Sequence, residues 1–413
     1  MRLKTLVCLS LITIAASLVP AARAQTFSAI HAFTEGNGVG PVGGVSLRAG
    51  VLYGTATCTG ECDSSGSGIV YQINPVGSSW YYVPIFAFTG IDGAGPQARV
   101  VVGPDNRLYG TTVAGGTQNA GVVFSLTPPI SVCKTAKCFW TETELHQFMG
   151  SPDAGYPGYG DLVWDPMGNI YGTTRGGGNS NLGTVFQMTK SGNQWTETPI
   201  YSFTGPDGNY PIAGVIRDSN GNLFGTTLEG GLYGFGTIFE LTYNINSGWT
   251  ETVLYNFQNL NDGQQPYTGV IRDSAGNFYG AASDGGNGGG GTIFELSPVG
   301  DTWTFTTIYS LTGQQGIYCG PRASLALDNS GNLYGTTNCD GANRFGNVFK
   351  LTNTQNRWVY TSLHDFADST DGALPVSVVT IDTDGTLYGT AASGGNLSCN
   401  APYGCGTVWM IKP

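Results

Sequence analysis

Short runs of alternating apolar and polar residues fill this chain, and the same runs return along it. "GTIFEL" occupies positions 236–241 and again 291–296, and close variants ("GIVYQI", "GVVFSL", "GTVFQM", "GNVFKL", "GTVWMI") appear elsewhere. β-Branched and aromatic residues at period two, with Gly and Asn between runs, predict antiparallel strands rather than helices. One unit reads as four strands: "AGVIRD" (213–218), the turn "SNGN", "LFGTT", a Gly-rich loop, "GTIFEL", then "WTETVLYNF" (249–257).

The unit is repeated seven times. "LYGT" and its variants place an aromatic residue at Tyr53, Tyr109, Tyr171, Phe224, Tyr279, Tyr334 and Tyr388. Six tryptophans, Trp80, Trp140, Trp195, Trp249, Trp303 and Trp358, each stand eight residues before Phe88, Phe148, Phe203, Phe257, Leu311 and Phe366. Four-stranded units at this spacing are β-propeller blades. A row of separate small domains is excluded, because one four-stranded sheet cannot bury both its faces. The Gly-rich stretch 221–241 is therefore one copy of a repeat, and nothing helical follows it to complete a phosphate loop.

The expected fold is all-β, a seven-bladed propeller spanning 25–413. Chains of this kind run from inner to outer strand in each blade. "QTFSAIHAF" (25–33) is an orphan outer strand, and the C-terminus supplies three inner ones ending in "GTVWMIKP". The N-terminal strand is expected to complete the last blade, a three-plus-one closure that leaves no loose edge.

The pattern "YGTT…GG…GTVFxL" followed by "F…DGxxP" resembles the GloVer tandem-repeat proteins, across the whole stretch from Gln25 to Pro413. That resemblance implies a propeller-like fold and export from a bacterial cell, in some members with a C-terminal sorting anchor. It implies no established activity and no catalytic residues. The end at "MIKP" departs from the anchored members.

Composition adds the compartment. Arg2 and Lys4, the apolar run Thr5–Pro20 and Ala22-Arg23-Ala24 form a signal peptide over 1–24, so secretion to the extracellular space, periplasm or outer surface is expected. The apolar run is short for a membrane span. The leader carries three basic residues and no acid, so its removal makes the chain more negative than the −11 of the full sequence. This balance argues against nucleic acid and against anionic lipid. Eight cysteines remain, an even number for an oxidising compartment. Their spacing suggests disulfides Cys58–Cys62, Cys133–Cys138, Cys319–Cys339 and Cys399–Cys405, and is poor for zinc.

Candidate chemistry is sparse. His31, His146 and His364 replace the aromatic residue of "IYSF" on three different outer strands, so they are expected to be structural and not to converge. Asp92, Asp207, Asp262 and Asp371, with Asp153 as a looser copy, lie in "DGxxP" loops that read as turns. One Asp per loop is too few for a closed calcium site. No metal or cofactor is expected, with Ca2+ the alternative held open. Arg217 and Arg272 face either the central channel or a neighbouring blade's Asp.

The Gly-rich loops and the outer-to-inner connections should share one face, and there the copies differ. Arg175, Asn179, Tyr233, Phe235, Asn287, Asn343, Arg344 and Phe345 are the ligand-binding candidates. Aromatic platforms interspersed with planar polar groups suit carbohydrate. The expected function is an extracellular binding or scaffold propeller, monomeric, taking a glycan or protein partner. The alternative is a polysaccharide lyase or glycosidase, for which Glu229, Asp284 and Asp340 are the acid candidates, since a glycosidase needs two carboxyls about 5–10 Å apart.

Overall fold

The computed structural model describes residues 25–59, 67–129, 140–313, 319–354 and 357–413. It contains seven small antiparallel sheets arranged as a seven-bladed β-propeller. In the fourth blade the strands run outward from the axis as Ile216–Arg217, Leu223–Thr227, Thr237–Asn244 and Gly248–Asn256. The third blade carries one extra short strand, Ala154–Pro157, paired with Ile170–Gly177. Closure is the expected three-plus-one. Thr26–Ala32 pairs antiparallel with the last strand, Thr407–Lys412, outside Leu387–Ala391 and Thr380–Ile381.

The repeated motifs have distinct physical jobs. The second strand of each blade and the first part of the third are buried on both sides, because each face packs on a neighbouring blade. One cluster joins Tyr171, Val185 and Phe203 of the third blade to Val215, Leu223, Phe239 and Leu241 of the fourth. The Gly of "LYGT" faces the aromatic ring of the next strand. Gly225 is in register with Phe239, and a Cβ there would stand 2.7 Å from its Cζ. The seven copies of this glycine, from Gly54 to Gly389, all meet such a ring. The glycine makes room for the ring.

The turn between the first two strands is organised by an Asp. Asp218 Oδ1 accepts from the amides of Asn220 and Asn222, both at 2.9 Å. Asp165, Asp273 and Asp328 repeat the arrangement and also accept from the tyrosine of "LYGT". Such Asx turns substitute a side chain for a backbone acceptor. Arg272 resolves in favour of the inter-blade position: its guanidinium lies 3.8 Å from Asp218 Oδ2 of the preceding blade and over the Phe278 ring. Arg217 donates to the carbonyl of Asp218.

Outer-to-inner connections and Gly-rich loops do share a face. They touch through backbone bridges Ala94 to Ala114, Asn209 to Glu229, Gln264 to Asp284 and Ala373 to Ser393. Disulfides Cys319–Cys339 and Cys399–Cys405 form on it. Cys58 is disulfide-bonded as well. Its expected partner Cys62 and the pair Cys133–Cys138 lie outside the described residues. No helix among the described residues is long and apolar enough to cross a membrane.

Candidate functional site

The residues that follow the proline of each connection turn into the ring axis and line a central channel of about 220 Å3. Most are small or apolar: Val42, Gly43, Ala213, Gly214, Gly269, Ala323, Val376 and Val378. The polar exceptions form two groups. Arg99 pairs with Asp161 of the next blade through both Nε and Nη2, and its Nη1 donates to Thr380 of the seventh blade. This ion pair is internally satisfied and ties three blades at the axis.

A second group is not. Arg322 lays its guanidinium over the Tyr267 ring, 5.0 Å from the centroid, while its buried Nε–H has no acceptor. Beside them is Tyr159, still 42% exposed. Burial pushes its phenol pKa up, and the charges of Arg322 and Arg175 pull it back, which places both cations within electrostatic reach. Arg175 itself stands over Tyr210 at 5.6 Å. Tyr159, Tyr267 and Arg322 thus line the channel where the connections of the loop-rich face enter it, with the Arg175–Tyr210 stack within electrostatic reach of Tyr159. Tyr–Arg stacks of this kind offer flat apolar faces and fixed donors together.

Of the sequence candidates, Arg175 belongs to this group. Tyr233 is exposed at a loop tip, as are Asn179, Asn287 and Arg344. Phe345 lies beside Arg344, and its carbonyl accepts from Leu374. Asn343 donates to the carbonyl of Asp365. Phe235 turns inward and packs against the cluster of Phe257 and Phe294. Asp284 accepts from Gln264 at 2.8 Å, and Glu229 and Asp340 are held through their backbones. Tyr159, Tyr210, Tyr267 and Arg322 lie outside the Gly-rich loops, on the outer-to-inner connections, and so are not among the sequence candidates. Their signal was the variable residues flanking the connection proline, in "YPGYG", "YPIAG", "PYTG" and "PRAS".

Carboxyls with strongly raised pKa lie instead on the outer strands. Glu142 and Glu251 are pushed to about 7, and Glu197 to about 8. Burial is the main cause in each, with like charge added by Asp207 at Glu251, by Asp153 at Glu197, and by Glu144 and then Asp92 at Glu142. The "DGxxP" carboxylates are occupied by their own turns. Asp262 accepts from the amides of Gln258 and Leu260 and from the Tyr255 hydroxyl, and Asp207 accepts from the Thr204 amide and the Tyr201 hydroxyl.

Solved structures with a similar fold include an ulvan lyase, from a new family of polysaccharide lyase, with a TM-score of 0.50 and 12% identity over 89% of this chain and 90% of that one. A Dyadobacter fermentans protein of unknown function has a TM-score of 0.48 and 12% identity, covering 95% of this chain and all of its own. The phage phi92 endosialidase has a TM-score of 0.44 and 11% identity, covering 94% and 68%. At these identities the likeness is one of fold. No curated protein sequence matches. The model of the Gloeobacter/Verrucomicrobia repeat matches residues 17–143, 135–258 and 218–413; the chain belongs to that repeat family, as its tandem motifs lead one to expect.

Proposed function

We propose that this protein is an exported recognition propeller that binds a glycan at the mouth of its channel. The observation that carries the reading is the Arg322–Tyr267 stack beside Tyr159, with a buried Nε–H that lacks an acceptor. An unmet buried donor costs about 1–3 kcal/mol, and a ligand oxygen placed there recovers it. The tyrosine rings supply stacking surface for a sugar's apolar face. The glycine and valine walls leave the channel open beside them. The leader-like N-terminus and the disulfides support an extracytoplasmic setting.

The test is retention of the purified protein on a panel of neutral and acidic polysaccharides, with released sugar and unsaturated product recorded in parallel. Binding that Arg322→Ala and Tyr267→Ala each weaken at least tenfold supports the proposal. Product release would replace it with an enzymatic one. Binding that is indifferent to both substitutions would move the site away from the mouth.

A further inference from the structure

At the seven junctions between neighbouring blades, the outer strands meet in a regular way. An aromatic residue or histidine of one strand stands opposite the residue two positions after the tryptophan of the next, or after Gln25 in the N-terminal strand, which has no tryptophan. Four of these contacts are ring stacks: His31 on Tyr82, Tyr255 on Phe305, Tyr309 on Tyr360 and His364 on Phe27. In the second, third and fourth blades the tryptophan is followed instead by Glu142, Glu197 and Glu251.

Only at the junction of the second and third blades does the facing residue also change to histidine. His146 Nε2 lies 3.6 Å from Asp153 Oδ2 and 4.0 Å from Glu197 Oε2. All three ligand atoms fall within 4.8 Å of one another, the one such group of three among the described residues. The Glu197 side chain is 2% exposed. Neither its Oε1 nor His146 Nε2 has a hydrogen-bond partner. At the equivalent junction one blade on, Glu251 Oε1 is likewise without a partner, but the facing residue is Tyr201, which donates to Asp207 at 2.6 Å and offers no ligand nitrogen.

From this geometry we infer that His146, Asp153 and Glu197 bind one divalent transition-metal ion, of the zinc type, which clamps the outer edges of the second and third blades. One imidazole and two carboxylates suit zinc or manganese better than calcium, which takes oxygen donors alone. Ligands at about 2.0–2.2 Å from a metal stand roughly 3–3.6 Å apart, so the site closes with side-chain movements of up to about 1 Å. Asp153 is already aimed, because its Oδ2 accepts from the Met149 amide at 3.0 Å. A proton shared by the two carboxyls would leave the imidazole nitrogen unpaired, whereas a cation satisfies all three groups. The sequence alone leads one to expect no metal here, because the rim histidines stand on different outer strands; the convergence that carries the inference is of one histidine with carboxylates of the adjoining elements.

The test is titration of the tag-free, chelator-stripped protein with Zn2+ by calorimetry, and with Co2+ by visible absorption. His146→Tyr and Glu197→Phe install the residues that other junctions carry, so both variants are expected to fold. One Zn2+ per chain, lost or weakened at least tenfold in His146→Tyr, Glu197→Phe and Asp153→Asn but kept in His364→Tyr, is the expected result. A ligand-field spectrum with Co2+ that disappears in His146→Tyr would confirm the imidazole. No uptake by the parent protein, or uptake unchanged in His146→Tyr and Glu197→Phe, would overturn the inference.

Discussion

The imidazole of His364 lies flat on the ring of Phe27, centroids 3.5 Å apart and planes 7° from parallel. Phe27 belongs to the N-terminal strand and His364 to the outer strand of the sixth blade, so this contact helps seal the ring where the two chain ends meet. Phe27 also packs against the buried cluster of Phe366, Trp409 and Ile411. Because it is only partly buried, Phe27→Ala is expected to cost about 2 kcal/mol, below the ~3–5 kcal/mol of a fully buried phenylalanine. Removing residues 25–33 uncovers the whole edge of Thr407–Lys412 and should cost far more. Thermal unfolding of both variants checks this, and a melting temperature unchanged by the deletion would contradict the closure.

The glycine of "LYGT" gives a sharper packing test. Gly225→Ala puts a methyl 2.7 Å from Phe239 Cζ and 3.2 Å from Val215 Cγ1. Overpacking of this kind costs roughly 1–3 kcal/mol. If the ring is the obstacle, Phe239→Leu should recover part of the loss, so the pair would be strongly non-additive in a double-mutant cycle. Additive losses would mean that the glycine serves backbone conformation instead.

These two cases show what the chain made legible. Period-two runs and the recurring Gly, Trp and Phe were enough for seven blades and their closure, because each repeat states the same packing problem again. The reason for a given residue needed the register: that Gly225 faces Phe239 follows from which strands pair, not from the motif. The mouth was harder, since Tyr159, Tyr267 and Arg322 are far apart in sequence and meet only when blades wrap around an axis. His146, Asp153 and Glu197 were concealed differently. Each is a small departure from its own repeat position, and their meaning lies in all three falling at one junction.

Stability should also depend on pH through the outer-strand carboxyls. Burial, and then the charge of Asp207, pushes Glu251 up to about 7. The folded state therefore holds its proton more tightly than the unfolded chain does. This stabilisation is fully present below the ordinary glutamate value near 4.5 and is lost as pH rises through about 7. In Glu251→Gln the amide stays neutral and can donate to Asp207. Urea midpoints measured from pH 4.5 to 8 should fall less steeply in this variant than in the parent. Equal slopes would show that Glu251 ionises freely in the folded protein.

The two described disulfides should separate stability from recognition. Cys319–Cys339 closes a loop of sequence separation 20 and Cys399–Cys405 one of 6, which chain entropy converts to about 3 and 2 kcal/mol respectively. Only the first is next to the proposed mouth. Cys319 is three residues before Arg322, and the bridge joins that connection to the Gly-rich loop of the same blade, where the Asn338 amide donates to Gly320 and the Cys339 amide to Cys319. Cys399–Cys405 staples the loop of the seventh blade, which contributes no tyrosine or arginine to the mouth. Replacing both cysteines of either bridge by serine should lower the melting temperature, more for the first. Polysaccharide retention at a temperature where both variants remain folded should fall only for Cys319→Ser/Cys339→Ser, because Arg322 then loses the anchor that holds it over Tyr267. Equal retention by the two variants would show that the proline and blade packing suffice to position the guanidinium.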